Sequence, residues 1–500
     1  RNLTLNIGLR YEYNGLPIDQ GNGFSNFDFK SGQIMVAGNN AVTLESFNPA
    51  TGKFVPTGAA SLGSKVSNQS LQYRDVHDFA PRLGFAWQPS DDSHWVMRGG
   101  YGLYYNQTFG DVYFQKVANP PFVQITAGNI SGALPAIAAG SIPLGSGALI
   151  SQALVGISAP VYPIISPFQI NFQNAMIQEW SFDVQRELGT NWLMDLGYVG
   201  TRGLFLPQLA DPNQPVPNPA TQTANRPYPY LSGFSYTESS GASLYNALQF
   251  KVEHHYSRGL SLLASYVYSK SMDFSSGPFP TFSDTNFPQN SRDIAAEHAL
   301  SDFNVPRRFA LGYVYDLPFG AKLWRSDNDK ANYLIKDWEV AGTTTIQSGM
   351  PFTPQISGDI SGADEEAVTG TGNPTDRPNL TGQPFYPAHQ NPSQWMSALA
   401  FSAPAPFTFG DAGRNILTGP GFDSWDMALI RRFRVGESKS LEFRAEMFNL
   451  FNDPAFQVPQ RDTASASFGQ IFNTLEPIAG LASGSPGDPR EMQFALKFIW

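Results

Sequence analysis

Alternation between apolar and polar residues at every second position is the feature that most constrains this chain. Residues 441–447 place Leu, Phe, Ala and Met on one side and Glu, Arg and Glu on the other, and the even positions of 492–500 are apolar. Because successive side chains of a strand point to opposite sides of a sheet, this period predicts strands with one apolar and one polar face. The predicted strands are 1–13, 81–88, 94–105, 179–188, 191–200, 246–256, 260–270, 307–317, 337–347, 424–434, 441–447 and 492–500.

The lengths of the strands and of their connections point to a membrane. Most strands span about ten residues, which matches a tilted membrane-spanning strand better than the 5–6 residues of a typical soluble sheet. Short connections such as 188–191, 257–259 and 436–439 alternate with long ones, and only 318–336 is of middling length. The long connections are 14–80, 106–178, 201–244, 271–306, 348–423 and 452–489. Short periplasmic turns and long extracellular loops are typical of outer-membrane barrels, so we expect an all-β, antiparallel transmembrane barrel in the bacterial outer membrane.

Composition argues against several other classes of protein. The 500 residues include no Cys, which rules out a disulfide framework and a cysteine nucleophile. The net charge of -10 argues against nucleic acid as a partner. No phosphate-binding loop, dinucleotide fingerprint or nucleophile elbow is present, and the six His do not suggest a metal site. We therefore expect that the protein is not an enzyme and that it binds neither a cofactor nor a metal ion. The chain opens inside an alternating pattern without a signal peptide, so we expect a piece of a longer protein.

Charged residues opposite the apolar positions should line the barrel lumen. A basic side chain facing lipid near the midplane would cost roughly 2–4 kcal/mol, so this face must meet water or a plug. The expected lumen residues are Arg98, Lys251, Glu253, Arg432, Glu442, Arg444 and Glu446. Either they bind substrate, or they form a salt-bridged lining that docks a plug; we favour the lining for most of them.

Aromatic residues in the long loops are the candidate ligand-binding groups. Rigid aromatic faces next to Pro, Asn and Ser suit a glycan, a peptide or an aromatic chelate. The candidates are Tyr228, Tyr230, Phe279, Phe282 and Phe287. The alternative is that these rings pack the loops against one another, which for each residue alone is the simpler explanation.

Five ordered motifs resemble a known family. They are Tyr245–Gln249; Ser301–Phe309 with Asp316–Gly320; Arg414–Asn415 with Gly419–Phe422 and Trp425–Asp426; Phe443–Asn452; and Phe468–Ile471 before Arg490–Gln493. Together they resemble the C-terminal barrel of TonB-dependent outer-membrane receptors of the Oar-like group, whose longer members carry a carboxypeptidase-regulatory-like N-terminal domain. Asn304 and Arg307 depart from the family pattern, where Asp and His are common.

The resemblance implies a plug inside a 22-stranded barrel, energised by an inner-membrane TonB complex. Residues 1–500 would be the C-terminal part of that barrel, with about twelve of its strands, and the plug and N-terminal domain would lie outside this chain. The last strand, with Phe494, Phe498 and Trp500, resembles the signal read by the barrel assembly machinery.

The implied function is import of an unidentified extracellular ligand captured by the loops. The alternative is a surface adhesion or interaction protein anchored in lipid by its barrel. A passive porin is disfavoured, because a porin has an open lumen that one inward-folded loop usually constricts.

Overall fold

The computed structural model of this chain describes most of its residues. The described ranges are 2–90, 94–107, 110, 113, 116–117, 119–123, 125–127, 162–277, 286–319, 323–324, 329–363, 374–435, 439–475, 487 and 489–500.

Strands dominate the described structure. In chain order they are β1 (Leu3–Tyr11), β2 (Ser25–Asp28), β3 (Gln33–Val36), β4 (Val42–Asn48), β5 (Lys53–Ala60), β6 (Val66–Ser67), β7 (Gln72–Tyr73), β8 (Phe79–Trp87), β9 (Trp95–Asn106), β10 (Ile125–Ala127), β11 (Tyr162–Ile164), β12 (Ala175–Leu188), β13 (Trp192–Ala210), β14 (Val216–Asn218), β15 (Thr223–Asn225), β16 (Tyr236–Ser257), β17 (Leu260–Asp273), β18 (Ala299–Leu300), β19 (Arg307–Asp316), β20 (Trp338–Gln347), β21 (Pro351–Phe352), β22 (Asn379–Leu380), β23 (Phe401–Ser402), β24 (Leu417–Thr418), β25 (Phe422–Val435), β26 (Lys439–Phe448) and β27 (Glu491–Ile499).

The described helices are short. Helix α1 spans Asp329–Ile335, and single 3-10 turns span Ile294–Glu297 and Ala398–Ala400. Among the described residues, no helix has the length and apolar character needed to cross a bilayer.

One large antiparallel sheet holds all twelve predicted strands. Its order is β1-β8-β9-β12-β13-β16-β17-β19-β20-β25-β26-β27, with β18 paired to β17. Sequence neighbours on this path are spatial neighbours, as in an up-and-down barrel. The turn between β16 and β17 shows why the hairpins are tight, because Arg258 and Gly259 both adopt positive φ (53° and 84°), as a primed hairpin turn requires. The predicted all-β antiparallel fold is confirmed.

Several strands are longer than the roughly ten residues expected of most of them, and two are about twice as long. Strand β13 has 19 residues and β16 has 22, and their pairing runs from Trp192 opposite His254 up to Ala210 opposite Tyr236. At about 3.3 Å per residue, β16 is about 70 Å long, whereas the apolar band of such barrels is only about 25 Å tall. The wall therefore continues outside the membrane, where period two no longer separates a lipid face from a lumen face.

Strand register separates an apolar face from a polar face. Residues directly opposite each other share a face, and one such row, Phe182, Tyr198, Leu248 and Tyr268, crosses four strands. These side chains are 42–55% exposed. In β26, Leu441, Phe443, Ala445 and Met447 lie opposite Phe498, Leu496, Phe494 and Met492, while Glu442, Arg444 and Glu446 occupy the other face. Exposed apolar rows of this kind form the lipid-facing surface of an outer-membrane barrel.

The buried apolar core lies in the loops. Strands β2–β5 form a four-stranded sheet inside the first long connection. Its Phe27 and Ile34 pack with Ile165, Leu231 and Phe234 from two other connections. A second cluster is built from Phe352, Met396, Ala400, Phe401 and Leu417. We call the described parts of 12–78, 107–174, 211–235, 274–306, 348–421 and 449–475 the loop assembly.

Candidate functional site

Alternating charges cover the polar face of the four C-terminal barrel strands. Arg432 and Glu442 lie opposite each other on β25 and β26, and Lys497 of β27 lies opposite Glu442 on its other side. The Arg432 Nη2 and Nε atoms donate to Glu442 Oε2 at 2.6 and 3.1 Å. Glu339 of β20 shares this face, because its Cα partner Ile430 lies two residues from Arg432. We call Glu339, Arg432, Glu442 and Lys497 the charge ladder.

The other predicted lumen residues lie on the same face. Arg444 Nη2 pairs with Glu446 Oε1 at 2.8 Å one step further along β26. In the N-terminal half, Lys251 Nζ lies 3.2 Å from Glu253 Oε2. Arg98 lies directly opposite Asp183. Near-neutral pairing of this kind suits a water-filled or plug-contacting wall better than capture of a charged substrate, because each charge already has a partner.

The loop assembly is joined by hydrogen bonds between connections far apart in sequence. These bonds are Asn26 Nδ2 to Phe168 O (2.7 Å), Ser235 N to Ile165 O (2.9 Å), Gln214 Nε2 to Gln289 O (2.9 Å), Gln289 Nε2 to Gly410 O (3.0 Å) and Gln355 N to Arg461 O (3.0 Å). The described parts of the long connections therefore form one folded layer at the end of the sheet opposite the short turns.

Two of the predicted ligand-binding aromatics are used in this packing. The ring of Tyr228 meets Phe27 edge-on at 5.0 Å and stacks on Phe234 at 5.8 Å, and its hydroxyl donates to Phe29 O at 2.6 Å. Phe287 is only 5% exposed. Tyr230, by contrast, is 54% exposed. Phe279 and Phe282 lie outside the described residues. Of the described candidates, Tyr230 presents its ring to solvent.

Buried ion pairs fasten the loop assembly to the barrel. Arg414 donates through Nη2 to the Oδ1 atom of Asp273, the last residue of β17, and its Nη1 lies 3.6 Å from Asp302 Oδ1. Arg377 pairs with Glu297, whose backbone oxygen also accepts from Arg414 Nε at 3.0 Å. All five side chains are at most 7% exposed. We call Asp273, Glu297, Asp302, Arg377 and Arg414 the mouth network.

Two residues of the mouth network, Asp302 and Arg414, lie in the family motifs, but the sequence alone did not predict that they meet. Asp302, Arg414 and Asn415 stood in two family motifs more than a hundred residues apart. The structure joins them, because Asn415 Nδ2 donates to Asp302 Oδ1 at 2.9 Å. Asp302 and Arg414 carry opposite charges, and this complementarity is the sequence feature from which their contact could have been predicted.

The two positions that depart from the family pattern have different surroundings. Asn304 is buried, and its Oδ1 accepts from Ser271 N at 2.7 Å. An Asp carboxylate could accept the same bond, so the Asn conserves the local geometry. Arg307 begins β19 with its side chain exposed.

Burial shifts the pKa of several titratable groups within the loop assembly, among them Lys116 and Glu45. Lys116 Nζ donates to Gln72 Oε1 at 2.7 Å and to Ser70 O at 3.1 Å, and it lies 4.2 Å from the centroid of the Phe168 ring. Burial lowers the pKa of Lys116 to about 7. Burial likewise raises the pKa of Glu45 in β4 above its ordinary value. Among the described residues, no group of three or more potential metal ligands lies close together.

The architecture and the comparisons agree on the class of protein. An antiparallel sheet with an exposed apolar face, a charge-paired polar face, short turns at one end and a loop layer at the other defines a membrane β-barrel. The chain matches the family described as "Outer membrane beta barrel domain" over residues 1–493. It belongs to that family and is located in the outer membrane.

Solved structures of outer-membrane transporters and receptors align with this chain at low sequence identity. The outer membrane transporter YddB from Escherichia coli is 9% identical with a TM-score of 0.43, and 93% of this chain aligns with 44% of it. The siderophore receptor PiuA from Acinetobacter baumannii is 8% identical with a TM-score of 0.41, and the whole chain aligns with 41% of it. The ferric citrate transporter FecA is 11% identical with a TM-score of 0.38 and aligned over 43% of its length. This chain spans less than half the length of each. Comparison with curated proteins gives no match.

Proposed function

We propose that this chain is the C-terminal barrel portion of an Oar-like, TonB-dependent outer-membrane receptor that captures an extracellular ligand and imports it with inner-membrane energy. The observation that carries the proposal is a folded loop layer fastened by buried ion pairs to the end of a barrel wall whose polar face is lined with paired charges. Such a layer offers a preformed capture surface directly above a polar passage.

The charge ladder is consistent with a barrel wall against which a plug docks, as this proposal requires. The two acidic and two basic side chains of this row neutralise one another, which leaves the wall polar without a strong field that would trap an ion. A plug segment with its own polar surface could lie against this row and exchange hydrogen bonds with it. The plug and a TonB-box segment would lie in the part of the protein outside this chain.

The two edge strands of the sheet support the proposal that the complete barrel has more strands than this chain provides. Strands β1 and β27 stand at the two ends of the strand order, and β1 is exposed along its whole length. A strand edge in hydrocarbon needs a lateral partner for its backbone groups. We assign those partners to further strands of the same barrel, which would then have 22 strands in total.

Dependence on inner-membrane energy tests the proposed function. Cells producing the intact protein are offered labelled glycans, peptides and ferric chelates, with and without a functional TonB complex. We expect one ligand class to accumulate inside only when TonB is active, and Tyr230→Ala to lower its binding while Glu446→Gln changes it little. Leu399→Ala, at a residue 76% exposed in a different loop, is the matched control. Accumulation that is independent of TonB would contradict the receptor hypothesis.

Surface adhesion is the second candidate, favoured by one observation. Tyr228 and Phe287 pack the loops instead of facing solvent, so the loop assembly resembles a folded exterior domain more than a set of open binding loops. An adhesin would bind its target on the cell surface equally well with and without TonB and would carry nothing inward. The uptake assay above separates the two.

A further inference from the structure

An arginine interrupts the apolar face of β25 near its periplasmic end. Arg431 lies directly opposite Trp338 on one side and Phe443 on the other. Phe443 in turn opposes Leu496, which is 70% exposed on the lipid-facing row. Register therefore places Arg431 on the lipid-facing side, yet its side chain is only 1% exposed. Some other part of the protein must cover it.

Helix α1 supplies this cover. The Arg431 Nη2 atom donates to the backbone oxygen of Tyr333, and Nη1 lies 3.5 Å from Asp337 Oδ2. The guanidinium carbon lies 4.6 Å from the Phe433 ring centroid and 5.9 Å from that of Tyr333. A cation near the C-terminal carbonyl groups of a helix is stabilised by their partial negative charge.

Two further bonds fix α1 against the outside of the wall. Trp338 Nε1 donates to Leu334 O at 3.1 Å, and the Tyr333 hydroxyl donates to Arg434 O at 2.9 Å. Phe433, which the Tyr333 ring approaches to 6.2 Å, lies opposite Leu441 and hence also on the lipid-facing side. Helix α1, in the connection between β19 and β20, thus lies on the outer surface of the barrel wall.

The last turn of this helix exposes two large apolar side chains. Leu334 is 61% exposed and Tyr333 is 40% exposed, although both lie beside the row that faces lipid. Lys336 is exposed next to them, with Nζ 5.8 Å from the Tyr333 ring centroid. An aromatic ring, an aliphatic side chain and a lysine together are typical of a segment at the boundary between acyl chains and headgroups.

We propose that α1 is an interfacial anchor that lies in the headgroup region of the periplasmic leaflet, with Leu334 and Tyr333 in contact with phospholipid. The occupant is lipid because the exposed surface of α1 is continuous with the lipid-facing rows of β25–β27, and the protein is located in the outer membrane. In this arrangement α1 also keeps the charge of Arg431 out of hydrocarbon.

Depth-dependent fluorescence quenching tests the anchor. Because the chain has no Cys, Leu334→Cys gives a single labelling site for an environment-insensitive fluorophore. The intact protein is reconstituted in phosphatidylcholine–phosphatidylethanolamine vesicles containing nitroxide lipids labelled either at the headgroup or near the end of the acyl chain. Phe250→Cys, on the lipid-facing side of β16 at 41% exposure and seven residues from the end of that strand at Ser257, serves as the deep control, and Leu399→Cys as the water-exposed control.

We expect the Leu334 label to be quenched more strongly by the headgroup nitroxide than by the acyl-chain nitroxide, and the Phe250 label to show the reverse order. Lys336→Cys provides a second site if Leu334→Cys lowers the folded yield, with the same expected order. If the Leu334 label is unquenched, like the Leu399 label, the surface faces water or a protein partner and the anchor is refuted. Stronger quenching by the acyl-chain nitroxide would equally overturn the interfacial placement.

Discussion

Removing Arg414 should release the loop assembly from the barrel without unfolding the barrel itself. In Arg414→Met, the carboxylates of Asp273 and Asp302 lose their guanidinium partner while remaining buried at 2% and 7% side-chain exposure. Breaking a buried ion pair by removing one partner typically costs about 3–5 kcal/mol, because an uncompensated charge is left behind. The strands of the sheet keep their own ladders of backbone bonds, so the cost should appear as local opening.

Hydrogen exchange measured by mass spectrometry can detect this local opening. A loss of about 3–5 kcal/mol corresponds to exchange that is faster by roughly a hundredfold to a few thousandfold in the segments the network holds. We expect this acceleration in 286–306 and 374–418, and unchanged protection in β12 and β13.

Arg226→Met is the matched control for this experiment. Arg226 also pairs with a buried carboxylate, Asp211, but at 3.4 Å and with 25% of its own side chain exposed, so a smaller effect is expected. Adding Asp273→Asn to Arg414→Met should recover part of the protection, since it removes one of the stranded charges. Unchanged exchange in Arg414→Met would show that the mouth network does not hold the loops, and global loss of protection would show that loops and barrel open together.

Three further predictions concern pH, assembly and closure. Burial lowers the pKa of Lys116 to about 7 from its ordinary 10.5. The unfolded state therefore binds more protons between these values, and the resistance of the loop assembly to proteolysis should rise from about pH 7 to about pH 10.5; Lys116→Met should abolish that rise, and a persistent rise would assign it to another group. Deleting Trp500, which is 84% exposed and stacks on Phe498, should lower membrane insertion far more than deleting Asp364, as measured by the membrane-bound fraction. Residues 1–500 alone should lack the heat-modifiable gel migration of a closed barrel, because β1 and β27 end the strand order; heat-modifiable migration would show that this sheet closes on itself.

The strands were predictable because period two is a local signal. Each barrel strand must show apolar residues to lipid and polar ones to the lumen, so its pattern is written within about ten residues. The pattern breaks visibly at Arg431, where the series Met427, Leu429, Arg431 and Phe433 places a cation on the apolar face. A cation on the lipid-facing side indicates that another segment must cover it, and α1 is that segment. Helix α1 itself was not predictable from periodicity, because its seven residues are too few to show a helical period.

The packing of the loops was not predictable in the same way. Tyr228 and Phe27 touch across about two hundred residues of sequence, and Arg414 reaches Asp273 across 141. No periodicity encodes such contacts, because each depends on how several connections fold together above the barrel. Aromatic residues in Pro- and Asn-rich segments therefore look the same in sequence whether they are exposed to solvent, like Tyr230, or fill a core, like Tyr228.

The position of the core constrains how such a protein could move. The barrel wall is held by continuous backbone ladders, whereas the loops are held by apolar clusters and by the mouth network. A single loop could not swing away alone, because Gln289 is bonded both to Gln214 and to Gly410 in two different connections. Any opening above the lumen must therefore break several of these contacts together or move the loop assembly as one unit hinged at the strand ends. Asp273 lies at the end of β17 and binds Arg414, so such a movement would have to break the ion pair between these two residues.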